Sequence, residues 1–324
     1  MYERYYQDPQ NTYKKDIMTN KILRGQFFTT SNPFSNSEAF DDWFSLLPED
    51  AEILEPFAGA GNLFDYLPNS KWAGYDIEPK HPDVIERDTI KNFPTGYKVC
   101  ITNPPYLAKT TCTRKNLPVQ PILEDLYLDC LKLALDNCDY VCAIIPSTYI
   151  GTKLFADRLY AWDKIDYVLF SDTDNPVGVA YFVPNKVDAT KLFVNGKEII
   201  ISEDDTPETV DLHLEFNVPH GNYVLCAIDL ISQDNIKMYK EDSSFDRSKF
   251  LKSTSRNYSL FHCPSITDED IDGINQFITS WRERTKDYFI TSFKSEQKSG
   301  KYRKRFSFGH FKWVVAQYLK EKNA

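Results

Sequence analysis

The chain predicts an α/β fold, a doubly wound and mostly parallel sheet followed by a smaller α+β domain, and three observations carry that expectation. Between residues 51 and 185 short apolar runs of strand length alternate with helical stretches, the order that builds βαβ units. Two glycines, Gly59 and Gly61, stand where the first run would turn into a helix. After Pro184 the style changes, because TKLFV, Asn195-Gly196 and KEIII read as strand, tight turn and strand. Length agrees with two units, since 324 residues exceed what one hydrophobic core usually serves. The boundary is expected near residue 186, giving domains 1–185 and 186–324.

Taken in order, AEILEPF (51–57) is the first strand, KWAGYDIE (71–78) the second, VIERD (84–88) a weak third and KVCIT (98–102) the fourth. Residues 119–136 space Ile122, Leu123, Leu126, Leu128, Leu131, Leu133 and Leu135 in a broadly helical way. YVCAIIP (140–146) is the fifth strand. IDYVLFS (165–171) and GVAYFVP (178–184) are then expected to close the sheet as an adjacent pair.

Composition narrows the class. Hydrophobic residues make up 42% of the chain, yet no apolar run approaches the ~18 residues of a membrane helix. The opening MYERYYQDPQNTYKK is polar and aromatic, without the apolar stretch of a secretory signal, so a cytoplasmic location is expected. Seven cysteines, odd in number and without a C-x-x-C pair, read as reduced packing residues, with no metal site expected. The net charge of -9 opposes a nucleic-acid partner at first sight. Its distribution does not: Arg282 to Arg305 holds nine Lys or Arg against three acids, interleaved with Tyr288, Phe289, Phe293, Tyr302, Phe306 and Phe308. From charge alone that window could equally be a solvated helix face.

Two stretches carry chemistry. Glu55, Phe57, Ala58, Gly59 and Gly61 lie in EPFAGAG at the end of the first strand, where glycines admit close approach of a ligand to backbone. Asp76 and Ile77 end the second strand 15 residues past Gly61, about where an acid receives ribose hydroxyls. Asp88, behind the third strand, is a further acceptor, or a plain solvated acid. The second stretch is Asn103-Pro104-Pro105-Tyr106, behind the fourth strand. Proline stops a ladder and biases the residue before it toward extended geometry, so this tetrapeptide is either a turn or a site with fixed acceptors.

Together GQFFTT (25–30), EPFAGAG (55–61) and NPPY (103–106) resemble, in content and order, the gamma class of amino-methylating DNA methyltransferases. The resemblance covers residues 24–185. It implies a Rossmann-like sheet with an antiparallel last strand, S-adenosylmethionine as cofactor, and a C-terminal target-recognition domain. It implies that Gln26, Phe27, Phe28, Thr29 and Thr30 hold the methionine end of the cofactor, and that Glu55, Phe57, Ala58, Gly59, Gly61, Asp76, Ile77, Asp88 and Asn103 bind the cofactor as well. Asn103, Pro104, Pro105 and Tyr106 become catalytic, with Phe170 as a second aromatic against a flipped base, although a core phenylalanine would match equally well. The family's Thr-Pro is here Thr29-Thr30, and its glycines before the fifth strand are Asn137-Cys138-Asp139.

The chemistry then asks for help at the amine. An adenine N6 lone pair is delocalised into the ring, and acceptors at Asn103 and the Pro104 carbonyl would aim it at the methyl donor. The target base must leave the duplex to be reached. The expectation is an N6-adenine methyltransferase acting on double-stranded DNA as a monomer, paired with a restriction endonuclease. Lys298, Lys301, Arg303, Lys304 and Arg305 are expected on DNA phosphates. RNA adenine or protein glutamine methylation, and a non-catalytic nucleic-acid-binding protein on the same fold, are the alternatives.

Overall fold

The computed structural model describes residues 29, 31–67, 70–170, 175–240 and 257–324, with Lys294 by its backbone only. The chain divides into two compact units, one running to Ile165 and resuming over Leu169–Glu198, the other formed by Asp166–Val168 and Ile199–Ala324. The division therefore falls after Glu198 instead of near residue 186.

Among the described residues the first unit is built on a nine-stranded sheet. Its strands are β1 (Ile53–Glu55), β2 (Trp72–Asp76), β3 (Val84–Glu86), β4 (Val99–Thr102), β5 (Tyr140–Pro146), β6 (Leu159–Lys164), β7 (Val177–Phe182), β8 (Lys191–Val194) and β9 (Lys197–Ile199). Their spatial order is β3-β2-β1-β4-β5-β7-β6-β8-β9. Neighbours from β3 to β5 are parallel, and β7 runs antiparallel to β5 and β6. The fold is thus α/β with a mostly parallel central sheet. Every residue of β1, β4 and β7 is buried, Glu55 and Thr102 at the ends of β1 and β4 included, so these strands are otherwise apolar or glycine. Pro56 and Pro104 follow β1 and β4 and end them, since neither can donate to a ladder.

Helix α1 (Glu38–Phe44) starts at Ser37, whose hydroxyl accepts from the Phe40 amide. Helices α2 (Lys109–Lys115) and α3 (Leu126–Asn137) follow β4. The helix expected over 119–136 begins only at Leu126, capped by Asp125, because Pro118 and Pro121 keep the preceding segment out of helical geometry. The expected strand over 165–171 is likewise corrected. The strand that pairs with β7 is Leu159–Lys164, and Phe170 makes only an isolated bridge to Thr29. Asp163 and Lys164 are buried in it on opposite faces, and these two charges disguise a buried strand. The Asn195-Gly196 turn joins β8 and β9 with positive φ at both residues, 52° and 76°, as a tight hairpin requires. Because β8 pairs in parallel with β6, the hairpin extends the first sheet.

The second unit has a four-stranded antiparallel sheet of β10 (Glu215–Phe216), β11 (Tyr223–Cys226), β12 (Lys237–Lys240) and β13 (Tyr258–His262), ordered β10-β13-β11-β12. A two-stranded ribbon of β14 (Thr291–Glu296) and β15 (Tyr302–Arg305) accompanies it, with helices α4 (Asp270–Thr285) and α5 (Phe308–Lys322). Trp281, Trp313, Phe261, Phe311 and Phe306 fill its core. No helix among the described residues is long and apolar enough to cross a membrane.

Candidate functional site

Because β1 pairs in parallel with β2 on one side and β4 on the other, the C-terminal ends of three strands lie side by side. They bring Glu55, Asp76 and Asn103 to one edge of the sheet, the edge where ligands of open α/β sheets bind. After β1 the chain turns sharply: the Ala58 amide donates to Tyr75 O at 2.8 Å, and the Gly61 amide to Ala58 O at 2.7 Å. Gly59 and Gly61 hold φ of 52° and 75°, left-handed values that side chains resist.

Asp76 holds this turn in place. Its Oδ2 accepts from the Gly59 amide at 2.9 Å and its Oδ1 from the Glu78 amide at 2.7 Å. A carboxylate oxygen has two acceptor positions, so one on each remains after these bonds. Ile77 beside it is 52% exposed, an apolar face next to the turn. Asp88 is engaged differently. Its carboxylate accepts from Lys91 Nζ at 2.8 Å and from the Lys91 amide at 3.2 Å, and the bond from Lys91 lowers its pKa below the ordinary value.

Glu55 is 1% exposed. Its Oε1 accepts from the Thr102 hydroxyl at 2.8 Å and the Phe57 amide at 3.0 Å, while Oε2 is buried without a hydrogen-bond partner. Burial pushes its pKa up to about 8, against the pull of the Thr102 hydroxyl and the Phe57 and Asn103 amides. The carboxyl is therefore neutral at pH 7.

Asn103 follows β4 directly. Its Nδ2 donates to Thr29 Oγ1 at 3.2 Å, and the Tyr106 hydroxyl lies 2.7 Å from both Asn103 Oδ1 and Ile144 O. One phenolic proton serves only one of those acceptors at a time. Asn62 Nδ2 donates to Thr29 O at 2.9 Å, which ties the Gly61 turn to the same point. Tyr106 is 7% exposed and meets Phe170 edge to face, with ring centroids 6.3 Å apart. Three segments distant in sequence, at Thr29, Asn103 with Tyr106, and Phe170, are thus joined in one cluster. Gln26, Phe27, Phe28 and Thr30 lie outside the described residues.

Sequence reasoning missed Thr102 and Asn62. Both were flagged by position, one preceding Asn103 and the other following Gly61.

The basic window of the second unit differs from expectation. Lys304 is 3% exposed, its ammonium paired with Asp166 and bonded to Ser292 Oγ. It is a buried structural ion pair and is corrected as a phosphate contact. Arg282 is buried in a fork with Asp229 and Asp287, and Arg284 pairs with Asp205. Arg303 donates to Asp229 O at 2.6 Å. Lys298, Lys301 and Arg305 are exposed on the ribbon. Tyr302 and Phe306, two of the aromatics interleaved with those charges, are core residues at 1% exposure.

No family model and no curated sequence matches the chain. Solved structures do. A Listeria monocytogenes protein assigned to the class I S-adenosylmethionine-dependent methyltransferases matches at 12% identity and TM-score 0.38, over 56% of this chain and 72% of that one. A modification subunit of a type I restriction enzyme from Vibrio vulnificus matches at 13% and 0.37, over 61% and 54%. The type I restriction-modification methyltransferase subunit of Streptococcus thermophilus matches at 15% and 0.36, over 60% and 53%. The chain thus spans about half the length of those two subunits.

Proposed function

We propose that the chain transfers a methyl group from S-adenosylmethionine to the N6 amino group of adenine in a specific duplex DNA sequence, as the modification enzyme of a restriction-modification system. The observation that carries this reading is the meeting of Glu55, the Gly59-Gly61 turn and Asp76 with the Asn103-Thr29-Tyr106 cluster at the ends of three adjacent strands.

The residues fit the cofactor. Glu55 Oε2 is a buried acceptor without a partner, suited to a cationic group. Asp76 keeps acceptor positions for ribose hydroxyls, and Ile77 supplies an apolar face for a flat ring. When bound, S-adenosylmethionine supplies a methyl group already activated on a sulfonium. What remains for the protein is the weak nucleophile. Asn103 Oδ1 and the Pro104 carbonyl each accept one N–H of the adenine amine, drawing the nitrogen toward tetrahedral geometry with its lone pair on the methyl carbon. The Tyr106 hydroxyl lies at an equal 2.7 Å from Asn103 Oδ1 and Ile144 O, so its proton can turn to Ile144 O when the amine bonds Asn103 Oδ1. Once methylated, the amine would give up its surplus proton to solvent, from the N–H groups that Asn103 Oδ1 and the Pro104 carbonyl would hold. Tyr106 and Phe170 are buried against each other, so base capture parts the two rings. The second unit serves as the recognition domain, with Lys298, Lys301 and Arg305 as its phosphate contacts.

The test is calorimetric titration with S-adenosylmethionine, then tritiated methyl transfer to unmethylated plasmid DNA, RNA and total protein. Asn103→Ala is expected to bind cofactor normally and to lose about 100-fold or more in turnover. Label in RNA or protein in place of DNA, or near-normal turnover of Asn103→Ala, overturns the reading.

A further inference from the structure

The segment behind the catalytic tetrapeptide combines three features that the proposed chemistry leaves unused. First, it is cationic in an acidic chain: no Asp or Glu occurs from Thr89 to Leu123, where five Lys or Arg stand at 91, 98, 109, 114 and 115. At the chain's average of 47 acids in 324 residues, about five would be expected in such a run. Lys109, Arg114 and Lys115 lie exposed on α2, which carries no acid at all.

Second, the loop after α2 holds apolar side chains in solvent. Ile122 is 83% exposed and Val119 is 40% exposed. Third, the loop that displays them is rigidly anchored. Asp129 accepts from the Ile122 amide at 2.7 Å and the Leu123 amide at 2.9 Å, and Lys109 Nζ donates to Ile122 O at 2.9 Å. Its base is stitched to the residues directly after Tyr106, through the Leu107 amide to Asp125 Oδ1 at 2.8 Å and the Lys109 amide to Glu124 O at 3.0 Å. An isoleucine held out by its own backbone bonds contributes nothing to the core.

We propose that residues 109–122 are a DNA-engaging projection of the catalytic unit, with Arg114 and Lys115 on a phosphate strand and Ile122 as a wedge that enters the base stack. A polyanion with apolar stacked bases is the partner that suits both features, since cations grip the backbone and apolar side chains part base steps. The proposal rests on the DNA methyltransferase reading and assigns to that site the element that holds the duplex open.

Three variants of the full chain test it, all at exposed positions. Binding of a random-sequence 30-base-pair duplex is measured across salt concentrations for the wild type and for Arg114→Ala combined with Lys115→Ala. The slope of log affinity against log salt is expected to fall by about 1.8. Ile122→Ser is expected to keep the wild-type slope and cofactor affinity while methyl transfer to unmethylated plasmid drops at least tenfold, and Ile122→Leu to stay within twofold of wild type. Parallel slopes overturn the phosphate contacts, and unchanged turnover of Ile122→Ser overturns the wedge. A dimer that Ile122→Ser dissociates, or tighter binding to RNA of matched length, also overturns the proposal. A wild type that shows the predicted slopes yet methylates no DNA supports the phosphate grip and refutes the methyltransferase reading, so the two failures are distinct.

Discussion

Glu55 keeps its proton at neutral pH because burial outweighs the donors that reach it, with a pKa of about 8 in the fold against an ordinary 4.5. A group whose folded pKa is raised contributes stability that is fully present below the unfolded value and is lost as pH rises through the folded one. Wild-type melting temperature is therefore expected to fall between about pH 5 and 9, and Glu55→Gln to show a flatter profile. The same carboxyl predicts a linkage with cofactor. If a cation settles on Oε2 the carboxylate form wins, and binding of S-adenosylmethionine at pH 7 releases close to one proton. Calorimetry in buffers of different ionisation enthalpy reads that number, and zero protons released by the wild type would remove Glu55 from the cofactor's cationic end. None of this was visible in the residue's identity alone. EPFAGAG marked the position, but the isolation of Oε2 depends on how β1 is enclosed by its neighbours.

At the scale of the element, the β8–β9 hairpin shows how a short turn anchors a helix. The Gly196 amide donates to Asp163 Oδ1 at 2.9 Å, and Gly196 O accepts from the Glu38 amide at 2.8 Å, satisfying the start of α1. A Cβ on Gly196 would stand 2.6 Å from Ser37 Cα, at a φ of 76°. Gly196→Ala is expected to cost more than the ~1 kcal/mol of an ordinary strained glycine position, because the clash is with backbone. Urea unfolding of the first unit measures it, and a loss below about 0.5 kcal/mol would mean that the turn relocates freely. The hairpin was legible from Asn195-Gly196, as were β5 and β7 from their apolar runs. Its parallel pairing with β6 was not, because β6 itself carries the buried charges Asp163 and Lys164, and Asp163 is bonded by the Gly196 amide, distant in sequence. Ile122 failed in the opposite sense: its spacing matched a helix face, while two prolines put it in solvent.

Across the whole molecule, the chain leaves the first unit for three residues, Asp166–Val168, and returns to it before crossing again at Ile199. Within the second unit those residues are bound firmly, since Asp166 O accepts from the Tyr302 amide, Tyr167 bridges Lys301, and Asp166 pairs with the buried Lys304. Breaking a buried pair from one side leaves an uncompensated charge and costs about 3–5 kcal/mol. Asp166→Ala is expected to destabilise the second unit by that order, and Lys304→Met in the same chain to recover most of it. Equal stability of Asp166→Ala and wild type in urea would show the pair to be dispensable. Charge counting along the sequence overestimated the basic window for the same reason. Asp287 inside the window shares Arg282 with Asp229, while the acids that neutralise Arg284 and Lys304 stand at 205 and 166, far outside it.

The Asp166–Lys304 pair also sets an order in time. Its partners are 138 residues apart, so a nascent chain at ~5–20 residues per second carries Asp166 for roughly 7 to 28 s before Lys304 is made. Through that interval the strands on both sides of Asp166, β6 and β7, are already available to pair. The first unit can therefore close while the segment that belongs to the second is still unmatched. Removing the chain from Lys304 onward would leave the sheet of the first unit paired while Asp166 lacks its ammonium partner.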